Sequence, residues 1–345
     1  MAPTAAQAIP RSFFGVAPQT ALSDTDVQYM RVGRIGSVRL AVPWDGVQPT
    51  PQGGYGWGGI DQAVAAAARG GLQILPFLYG TPRWLSHKPT SLPIGGRARR
   101  AWIAFVWAAI ERYGPNGQFW LEHGPGSEDP VPRDPIRTWQ VWNEANFFYF
   151  AFPVSPARYA RLLNFTSTAI KRADPGAKVV LSGLFGDPDE DGPRGMDAVD
   201  FLEELYRVPG IESKFDGIAL HPYAIHAGDL SQMTEDMRSV ALENHDPGAA
   251  LYITEMGWGS EDNFQQDAFE QGIFGQVDQL RDSYRYLIDN RRRLNLKAAY
   301  WFTWKDVQGS CDFCDSTGFF HEGDRFRAKP AWHAFVRLTG GRARP

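Results

Sequence analysis

Two glutamates stand in sequence contexts that could carry out acid–base and nucleophilic chemistry. Glu144 lies in the segment WNEAN and Glu255 in the segment TEMGW, each at the end of a run of apolar and aromatic residues. A carboxylate is costly to place among such residues without a purpose, because a charge that leaves water needs partners. Two carboxyl groups that face each other could protonate a leaving oxygen and attack, or activate water, as hydrolysis of a glycosidic bond requires. The alternative is that each glutamate is an ordinary solvated residue at the end of a strand.

The elements that must position these glutamates form a regular alternation of strands and helices. Apolar, β-branched runs predict eight strands, which begin near Phe13, Ser37, Leu72, Thr138, Lys178, Phe215, Leu251 and Ala298. Helical patterns are predicted at 23–34, 60–69, 97–113, 155–173, 196–206, 231–244 and 264–293, and a last helix follows Lys329 and Pro330. Ser155 before Pro156 is typical of a helix N-terminus. Glu144 ends the fourth predicted strand, and Glu255 ends the seventh.

This alternation predicts an α/β fold, a single (β/α)8 TIM barrel. No linker or low-complexity segment divides the series, so one catalytic barrel over residues 13–340 is favoured over two domains, with an N-terminal extension at 1–12 and a C-terminal tail at 341–345. The insertion at 114–137 is rich in Gly and Pro and precedes the fourth strand, so we expect a surface loop at the N-terminal face of the barrel. Active sites of such barrels lie at the C-terminal ends of the strands, which places both glutamates at one mouth.

The composition of the chain narrows the classes of partner. With 345 residues and 43% of them hydrophobic, a disordered or fibrous protein is excluded. The net charge is -4, so there is no basic surplus for nucleic acid or an anionic membrane, and no apolar run approaches the roughly 18 residues that insertion into a membrane needs. The 12 Trp and 12 Tyr could line a carbohydrate groove or pack a core. The opening MAPTAAQAIP suits a secreted protein whose signal has been removed, with a cytoplasmic location as the alternative.

The motifs around the two glutamates resemble a known group of enzymes. WNEAN on a fourth strand with TEMGW on a seventh is similar to clan A of the glycoside hydrolases, which are retaining barrel enzymes. The resemblance extends over nearly the whole chain, through VRLAVPWDGVQP, GLQILPFLYGTPRW, LHPY, YWFTWKD and KPAWHAF. Together these segments most resemble family 39 and its bacterial exopolysaccharide-hydrolase relatives, with family 5 next. Ala145 departs from the pattern, because many relatives have Pro after the glutamate, and this weakens the family assignment but not the clan.

The resemblance implies roles for four residues. Glu144 corresponds to the general acid/base and Glu255 to the nucleophile that forms a covalent glycosyl-enzyme. Glu144 must then hold a proton near neutral pH, which burial or nearby negative charge achieves, whereas Glu255 must stay ionised, which requires hydrogen-bond donors or a cation. Arg39 matches the arginine of the second strand and could hold Glu255 anionic, or could form a structural salt bridge at the mouth. Asn143 resembles the residue that binds the sugar 2-hydroxyl.

Further residues are expected to surround the substrate. Tyr223 would donate its hydroxyl to Glu255, and His221 would line the same wall or serve a structural role. Trp304 is the first choice for a platform under a sugar ring. The other candidates, each of which could instead pack in the core, are Trp301, Trp258, Trp84 and Trp44. The aromatic segment 147–152 after the acid could form a wall for the leaving group or pack on itself.

The remaining motifs predict neither a metal nor a cofactor. Cys311 and Cys314 have CxxC spacing, but no further Cys exists to complete a zinc site, and the surrounding GSCDFCDSTG is a loop. A small disulfide clip or two free thiols is expected there. The acidic run at 186–192 is interpreted as a solvated loop rather than a calcium site. The sequence therefore predicts a cofactor-free retaining glycoside hydrolase acting on a poly- or oligosaccharide, with a transglycosylase or a carbohydrate-binding pseudoenzyme on the same barrel as alternatives.

Overall fold

The computed structural model describes residues 8–263, 265, 267–309, 311, 313–323 and 325–345. Its strands are β1 (Phe14–Val16), β2 (Ser37–Pro43), β3 (Gln73–Tyr79), β4 (Thr138–Val141), β5 (Lys178–Val180), β6 (Leu184–Phe185), β7 (Gly217–His221), β8 (Ala250–Met256) and β9 (Leu296–Trp301). Every pairing between them is parallel, in the order β5-β4-β3-β2-β1-β9-β8-β7-β6, and an additional β5–β7 pairing closes the sheet. The predicted (β/α)8 TIM barrel is confirmed.

The fifth position of the barrel is divided between β5 and β6. Val180 of β5 pairs with Gly217, and Leu184 of β6 pairs with Leu220 of the same neighbour, β7. Gly183, with φ of +65°, lies in the interruption, and a Cβ there would stand 2.3 Å from Nε2 of His221. A residue without a Cβ is needed because the chain turns through left-handed backbone against a buried side chain. This break was not predicted, since the run KVVLSG was interpreted as one strand.

The helices are α1 (Asp24–Val32), α2 (Trp44–Val47), α3 (Gly58–Arg69), α4 (Gly96–Tyr113), α5 (Gln118–Glu122), α6 (Pro156–Ala173), α7 (Ala198–Tyr206), α8 (Ala227–Glu243), α9 (Gly272–Asn290) and α10 (Pro330–Thr339). The signals at their ends act as predicted: the Ser155 side chain accepts a hydrogen bond from the backbone N–H of Arg158, and Pro156 occupies the first turn. None of the helices within the described residues is both long enough and apolar enough to span a membrane.

Two predicted segments differ from the structure. The expected surface loop at 114–137 contains α5, whose Phe119 and Trp120 are buried, because the Trp120 indole donates to the carbonyl of Tyr113 and Phe119 packs against the Tyr113 ring. The helix predicted from residue 264 begins only at Gly272; residues 264 and 266 lie outside the described part. The described residues just before α9 form turns instead, and Glu270 there accepts hydrogen bonds from the backbone N–H of Glu261 and from the Ser316 hydroxyl.

The interior of the barrel changes character from bottom to top. A small apolar cluster fills its lower part, made of Leu75, Val180, Ala219, Ala298 and Tyr300. The larger core lies between the strands and the helices and takes up most of the Trp and Phe side chains. Above the apolar cluster the inward-facing side chains become polar, as at Arg39 on β2 and Gln140 on β4, both fully buried. The buried polar layer around Arg39 and Gln140 forms the floor of the barrel mouth, at the C-terminal ends of the strands.

Candidate active site

Glu144 is held at the mouth by an unusual backbone conformation after β4. Its φ is +38° and that of Trp142 is +74°, both in the left-handed region that non-glycine residues rarely adopt. The carbonyl of Ser182 accepts from the Glu144 N–H at 2.8 Å, and the Ser182 hydroxyl accepts from the Ala145 N–H. Such a conformation persists only where the surroundings impose it, and it is concentrated at functional sites. The result is a buried carboxyl group that points into the barrel mouth.

Glu255 reaches the same space from β8. One carboxylate oxygen of Glu144, one of Glu255 and a ring nitrogen of His221 all lie within 4.8 Å of one another. Retaining glycosidases place their two carboxyl groups about 5–5.5 Å apart, whereas inverting ones leave about 6.5–9.5 Å for a water molecule. The nearest oxygens of Glu144 and Glu255 are thus at most 4.8 Å apart, on the side of the shorter separation.

Arg39 organises the floor of this site. It is 1% exposed and donates from Nη1 to Oε1 of Glu255, from Nη2 to Oδ1 of Asn143 at 2.5 Å, and from Nε to Oε1 of Gln140 at 2.7 Å. Its guanidinium lies 3.9 Å from the centre of the Phe77 ring. A planar cation with three fixed partners cannot swing away, so its charge stays beside Glu255.

The second oxygen of Glu255 also has a donor. The Tyr223 hydroxyl donates to Oε2 of Glu255 at 2.7 Å. Burial and the neighbouring Glu255 charge raise the pKa of Tyr223 well above its ordinary value, so the phenol keeps the proton that it donates. Each oxygen of Glu255 therefore accepts a hydrogen bond, one from the Arg39 cation and one from the neutral Tyr223 phenol.

Glu144 has the opposite environment. Burial, followed by the negative charge of Glu255, raises the pKa of Glu144 well above its ordinary value, and the Arg39 charge opposes the rise. Its Oε1 lies 2.6 Å from Nδ1 of His221. Burial and the Arg39 charge lower the pKa of His221 well below its ordinary value, so the imidazole is neutral. Both groups are neutral, so a single hydrogen between Oε1 of Glu144 and Nδ1 of His221 makes this hydrogen bond.

The structure shows which partners the predicted site residues have. The Arg39 guanidinium and the Tyr223 hydroxyl each contact one oxygen of Glu255. His221 is predicted to line the same wall as Tyr223, and its Nδ1 lies 2.6 Å from Glu144 and 3.7 Å from Glu255, so its main partner is Glu144. Asn143 is buried, and Arg39 fixes its oxygen, which leaves Nδ2 without a hydrogen bond in the described part of the chain.

The predicted tryptophan platforms need correction. A ring with no exposed face cannot stack on a sugar, and four of the five candidates are at most 1% exposed: Trp304, Trp301, Trp258 and Trp44. Trp304 donates to Asp26 and packs against Trp332, and Trp301 donates to the carbonyl of Thr317, so both belong to the layer under the loops. Period-2 alternation along the strands turns some strand-end rings outward, which the sequence alone did not resolve. Trp84 is half-buried and remains a candidate.

Other aromatic side chains surround the carboxyl groups. The Tyr223 ring is enclosed by Phe185, Phe269, Phe302 and Phe313, with ring centres 5.2–6.4 Å away. On the opposite side, Tyr79 ends β3, half-buried, with its ring stacked on Phe77. The Phe147–Phe152 segment packs partly on itself, since Phe147 contacts both Phe148 and Tyr149. Tyr79 could have been found in the sequence as the last residue of an apolar strand, by the same signal that found Glu144.

Two further residues of the site were missed in the sequence. Oε1 of Gln140 accepts a hydrogen bond from Nε of Arg39, and Nε2 of Gln140 donates one to the carbonyl of Leu181. The carbonyl of Ser182 accepts a hydrogen bond from the Glu144 N–H. Gln140 is a polar residue inside the run TWQVW, so an inward-facing position in the barrel was a readable signal. Ser182 acts mainly through its backbone carbonyl, which any residue type could provide, so its role left no signal.

The site does not suit a metal ion. Glu144, His221 and Glu255 are the one group in the described residues with the spacing of metal ligands. Arg39 and Tyr223 already occupy the oxygens of Glu255, and a second cation would lie against the Arg39 guanidinium. Elsewhere, Cys311 and Cys314 form a disulfide bond, which agrees with one of the two alternatives predicted for the CxxC segment.

Comparison with known proteins shows which solved structures share this fold. No family model matches the chain, and no curated protein matches it. Among solved structures, a family 39 glycoside hydrolase from Bacteroides cellulosilyticus WH2 matches with a TM-score of 0.70 at 17% identity, over 96% of this chain and 64% of that one. In fold, the chain is similar to family 39 glycoside hydrolases. It spans slightly less than two thirds of that relative's length.

Two further neighbours support the same fold. A monomeric beta-xylosidase from Caulobacter crescentus CB15 matches with a TM-score of 0.68 at 19% identity, covering 96% of this chain and 69% of that one. An intracellular xylanase from Thermoanaerobacterium saccharolyticum, solved with xylotriose, matches with a TM-score of 0.62 at 16% identity, covering 93% of this chain and 94% of that one. The structural neighbours named here are thus glycoside hydrolases that share the TIM barrel.

Proposed function

We propose that this chain is a retaining glycoside hydrolase, with Glu144 as the general acid/base and Glu255 as the nucleophile. The observation that carries the proposal is the contrast between two carboxyl groups whose oxygens lie within 4.8 Å. One is kept neutral by burial and by the charge of the other, and the second has Arg39 and Tyr223 on its two oxygens. An acid and a nucleophile at this spacing meet the needs of double displacement.

The first step forms a covalent intermediate. An oxygen of Glu255 attacks the anomeric carbon, and the bond from that carbon to the glycosidic oxygen breaks. The electron pair of that bond goes to the leaving oxygen, which takes the proton of Glu144. Glu255 becomes an ester and Glu144 a carboxylate. In the tautomer that carries its hydrogen on Nδ1, neutral His221 then donates that hydrogen to the new charge on Glu144, whose Oε1 lies 2.6 Å away.

The second step returns the enzyme to its starting state. Glu144, now a carboxylate, accepts a proton from water while the water oxygen bonds to the anomeric carbon. The ester bond to Glu255 breaks, and the carboxylate regains its two donors. Asn143 has a free Nδ2 beside the floor, where it would bind the sugar 2-hydroxyl, an interaction that strengthens as positive charge develops on the sugar.

The substrate class in the proposal is a poly- or oligosaccharide. The named neighbours include a beta-xylosidase and a xylanase, so xylosides are the first substrates to test, followed by glucosides and mannosides. Export to an oxidising compartment is also part of the proposal, and the Cys311–Cys314 disulfide supports it because such bonds persist mainly outside the cytosol.

The test is a hydrolysis screen with aryl glycosides and natural polysaccharides, in which NMR follows the configuration of the first product. Wild type should release sugar with retained configuration. Glu255→Ala should lose turnover, and Glu144→Ala should lose it most strongly on substrates with poor leaving groups. Glu243→Ala, an exposed glutamate at the end of α8, is the control. Inverted product would overturn the assignment of Glu255, and saccharide binding without turnover would favour the pseudoenzyme.

A further inference from the structure

The donor to the nucleophile rests on aromatic rings from neighbouring loops. Of the rings around Tyr223, Phe313 is the nearest, at 5.2 Å between centres and 68° between planes. Phe313 also packs against Phe269 at 4.9 Å, which in turn contacts Tyr223. The direction of the Tyr223 hydroxyl toward Glu255 therefore depends on how these rings are placed.

Phe313 is fixed by a covalent clip. It lies between Cys311 and Cys314, which the disulfide joins with their Cα atoms 4.9 Å apart. Cys314 is 6% exposed and belongs to the same buried cluster as Tyr223 and Phe302, whereas Cys311 is exposed. One sulfur thus packs in the shell of Tyr223, and the other is accessible to a thiol.

The rest of this loop is held without the disulfide. The Ser316 hydroxyl donates to Glu270, and Nζ of Lys329 donates to the carbonyl of Ser316 at 2.5 Å and to Asp306 at 2.7 Å. The Thr317 hydroxyl donates to the carbonyl of Cys314. The short 3-10 turn Phe313–Ser316 is closed by the disulfide and by a backbone hydrogen bond from the Asp315 N–H to the Cys311 carbonyl at 3.3 Å. Opening the disulfide is therefore expected to loosen the turn that carries Phe313 while the base of the loop stays in place.

We propose that the Cys311–Cys314 clip and Phe313 are positioning elements that hold the Tyr223 hydroxyl on Glu255. This inference rests on the proposed function for its catalytic consequence but not for its structural one. A dithiol would open the clip: its thiolate attacks the exposed Cys311 sulfur, the S–S bond breaks, and Cys314 leaves as a thiolate and takes up a proton. The second thiol of the reagent then displaces Cys311, so that the reagent is oxidised to a cyclic disulfide and both cysteines are reduced.

The test compares the disulfide with Tyr223 in a double-mutant cycle on the full chain. Cys311→Ser/Cys314→Ser should lower kcat by about tenfold, with a smaller change in KM, because a displaced donor no longer stabilises the charge that returns to Glu255 as the ester bond breaks. The acid limb of the pH profile should move to higher pH. In the Tyr223→Phe background the same change should have an effect of less than about twofold, because the group through which the clip acts is already gone.

Two variants of Phe313 and one control complete the design. Phe313→Ala should reproduce the loss and Phe313→Leu should restore part of it, whereas Phe274→Ala removes the same ring from a position that is 80% exposed and should leave kcat unchanged. Dithiothreitol should lower wild-type kcat reversibly without affecting the double serine variant. Reduction of the wild type with dithiothreitol also tests the proposal if the double serine variant fails to fold. Equal effects of clip loss with and without the Tyr223 hydroxyl, or full reduction without a change in kcat, would overturn the proposal.

A readout independent of turnover separates this inference from the proposed function. The NMR signal of 13C-labelled tyrosine at the phenol carbon, assigned to Tyr223 by its absence in Tyr223→Phe, should shift on reduction of the clip. A shift in a protein that hydrolyses no glycoside would leave the positioning intact and remove the proposed function. A fixed signal in an active enzyme would remove the positioning alone.

Discussion

Removal of the Arg39 charge is the perturbation whose cost the structure defines best. Arg39→Met keeps an unbranched apolar stem over Phe77 but leaves the buried Glu255 carboxylate without its cation, and it leaves Asn143 and Gln140 without a donor. Removing one member of a buried ion pair costs about 3–5 kcal/mol, because the other charge stays in the interior unpaired. We expect a loss of that size in the free energy of unfolding at pH 7.

The cost should depend on the charge of Glu255. A double variant with Glu255→Gln should recover part of the loss, because the uncompensated charge is gone. Its cost should therefore be clearly smaller than the sum of the two single costs.

The assay is urea unfolding of the four proteins of this cycle at pH 7, followed by fluorescence. The control is Arg285→Met, which removes one member of an exposed pair with Asp282, 68% and 65% exposed, and should cost at most about 1 kcal/mol. A loss below about 1 kcal/mol for Arg39→Met, or additive costs in the cycle, would refute the view of Arg39 as the charge partner of a buried ionised Glu255.

Three further predictions follow from the same geometry. Burial raises the pKa of Glu144, so the folded protein should lose stability as the pH rises from the ordinary pKa of a glutamate toward the raised pKa. Glu144→Gln should therefore be more stable than wild type by about 1–2 kcal/mol at pH 8 in thermal unfolding. Equal stability would contradict burial as the cause of the raised pKa. Tyr223→Phe should lower kcat by about 10- to 100-fold, the value of one hydrogen bond to a charged group, and unchanged kinetics would exclude that role. Gly183→Ala should cost about 1–3 kcal/mol and lower activity by displacing His221, whereas Gly192→Ala, with a similar φ of +61° and no atom within 4 Å of the new Cβ, should cost less in the same denaturation assay.

The sequence predicted the parts of the fold that depend on local patterns. Apolar runs and helix signals located the barrel strands, and the alternation alone implied closure. The break between β5 and β6 was missed because its cause is the contact of Gly183 with His221, which is distant in sequence. The short helix α5 was missed because burial of Phe119 and Trp120 against Tyr113 overrides the Gly and Pro composition around it.

In the candidate site, too, local patterns predicted some residues, and contacts distant in sequence determined the others. Strand-end polar residues such as Glu144, Glu255 and Arg39 could be read from the sequence, because a polar residue after a buried run faces the mouth of the barrel. The partner of His221 and the burial of Trp304 could not, since both depend on which side of the barrel wall a side chain takes. Rings that do surround the site, such as Phe313, come from loops, whose paths carry no periodic signal.

Capture of the covalent intermediate tests the role of Glu255 as the nucleophile most directly. The wild type is incubated with a 2-deoxy-2-fluoro glycoside bearing a good leaving group, matched to the sugar found in the screen, and the protein is digested and analysed by mass spectrometry. We expect one glycosyl group, bound to the peptide that contains Glu255, and none in Glu255→Ala. A glycosyl group on another residue, or turnover with inverted configuration and no adduct, would contradict it.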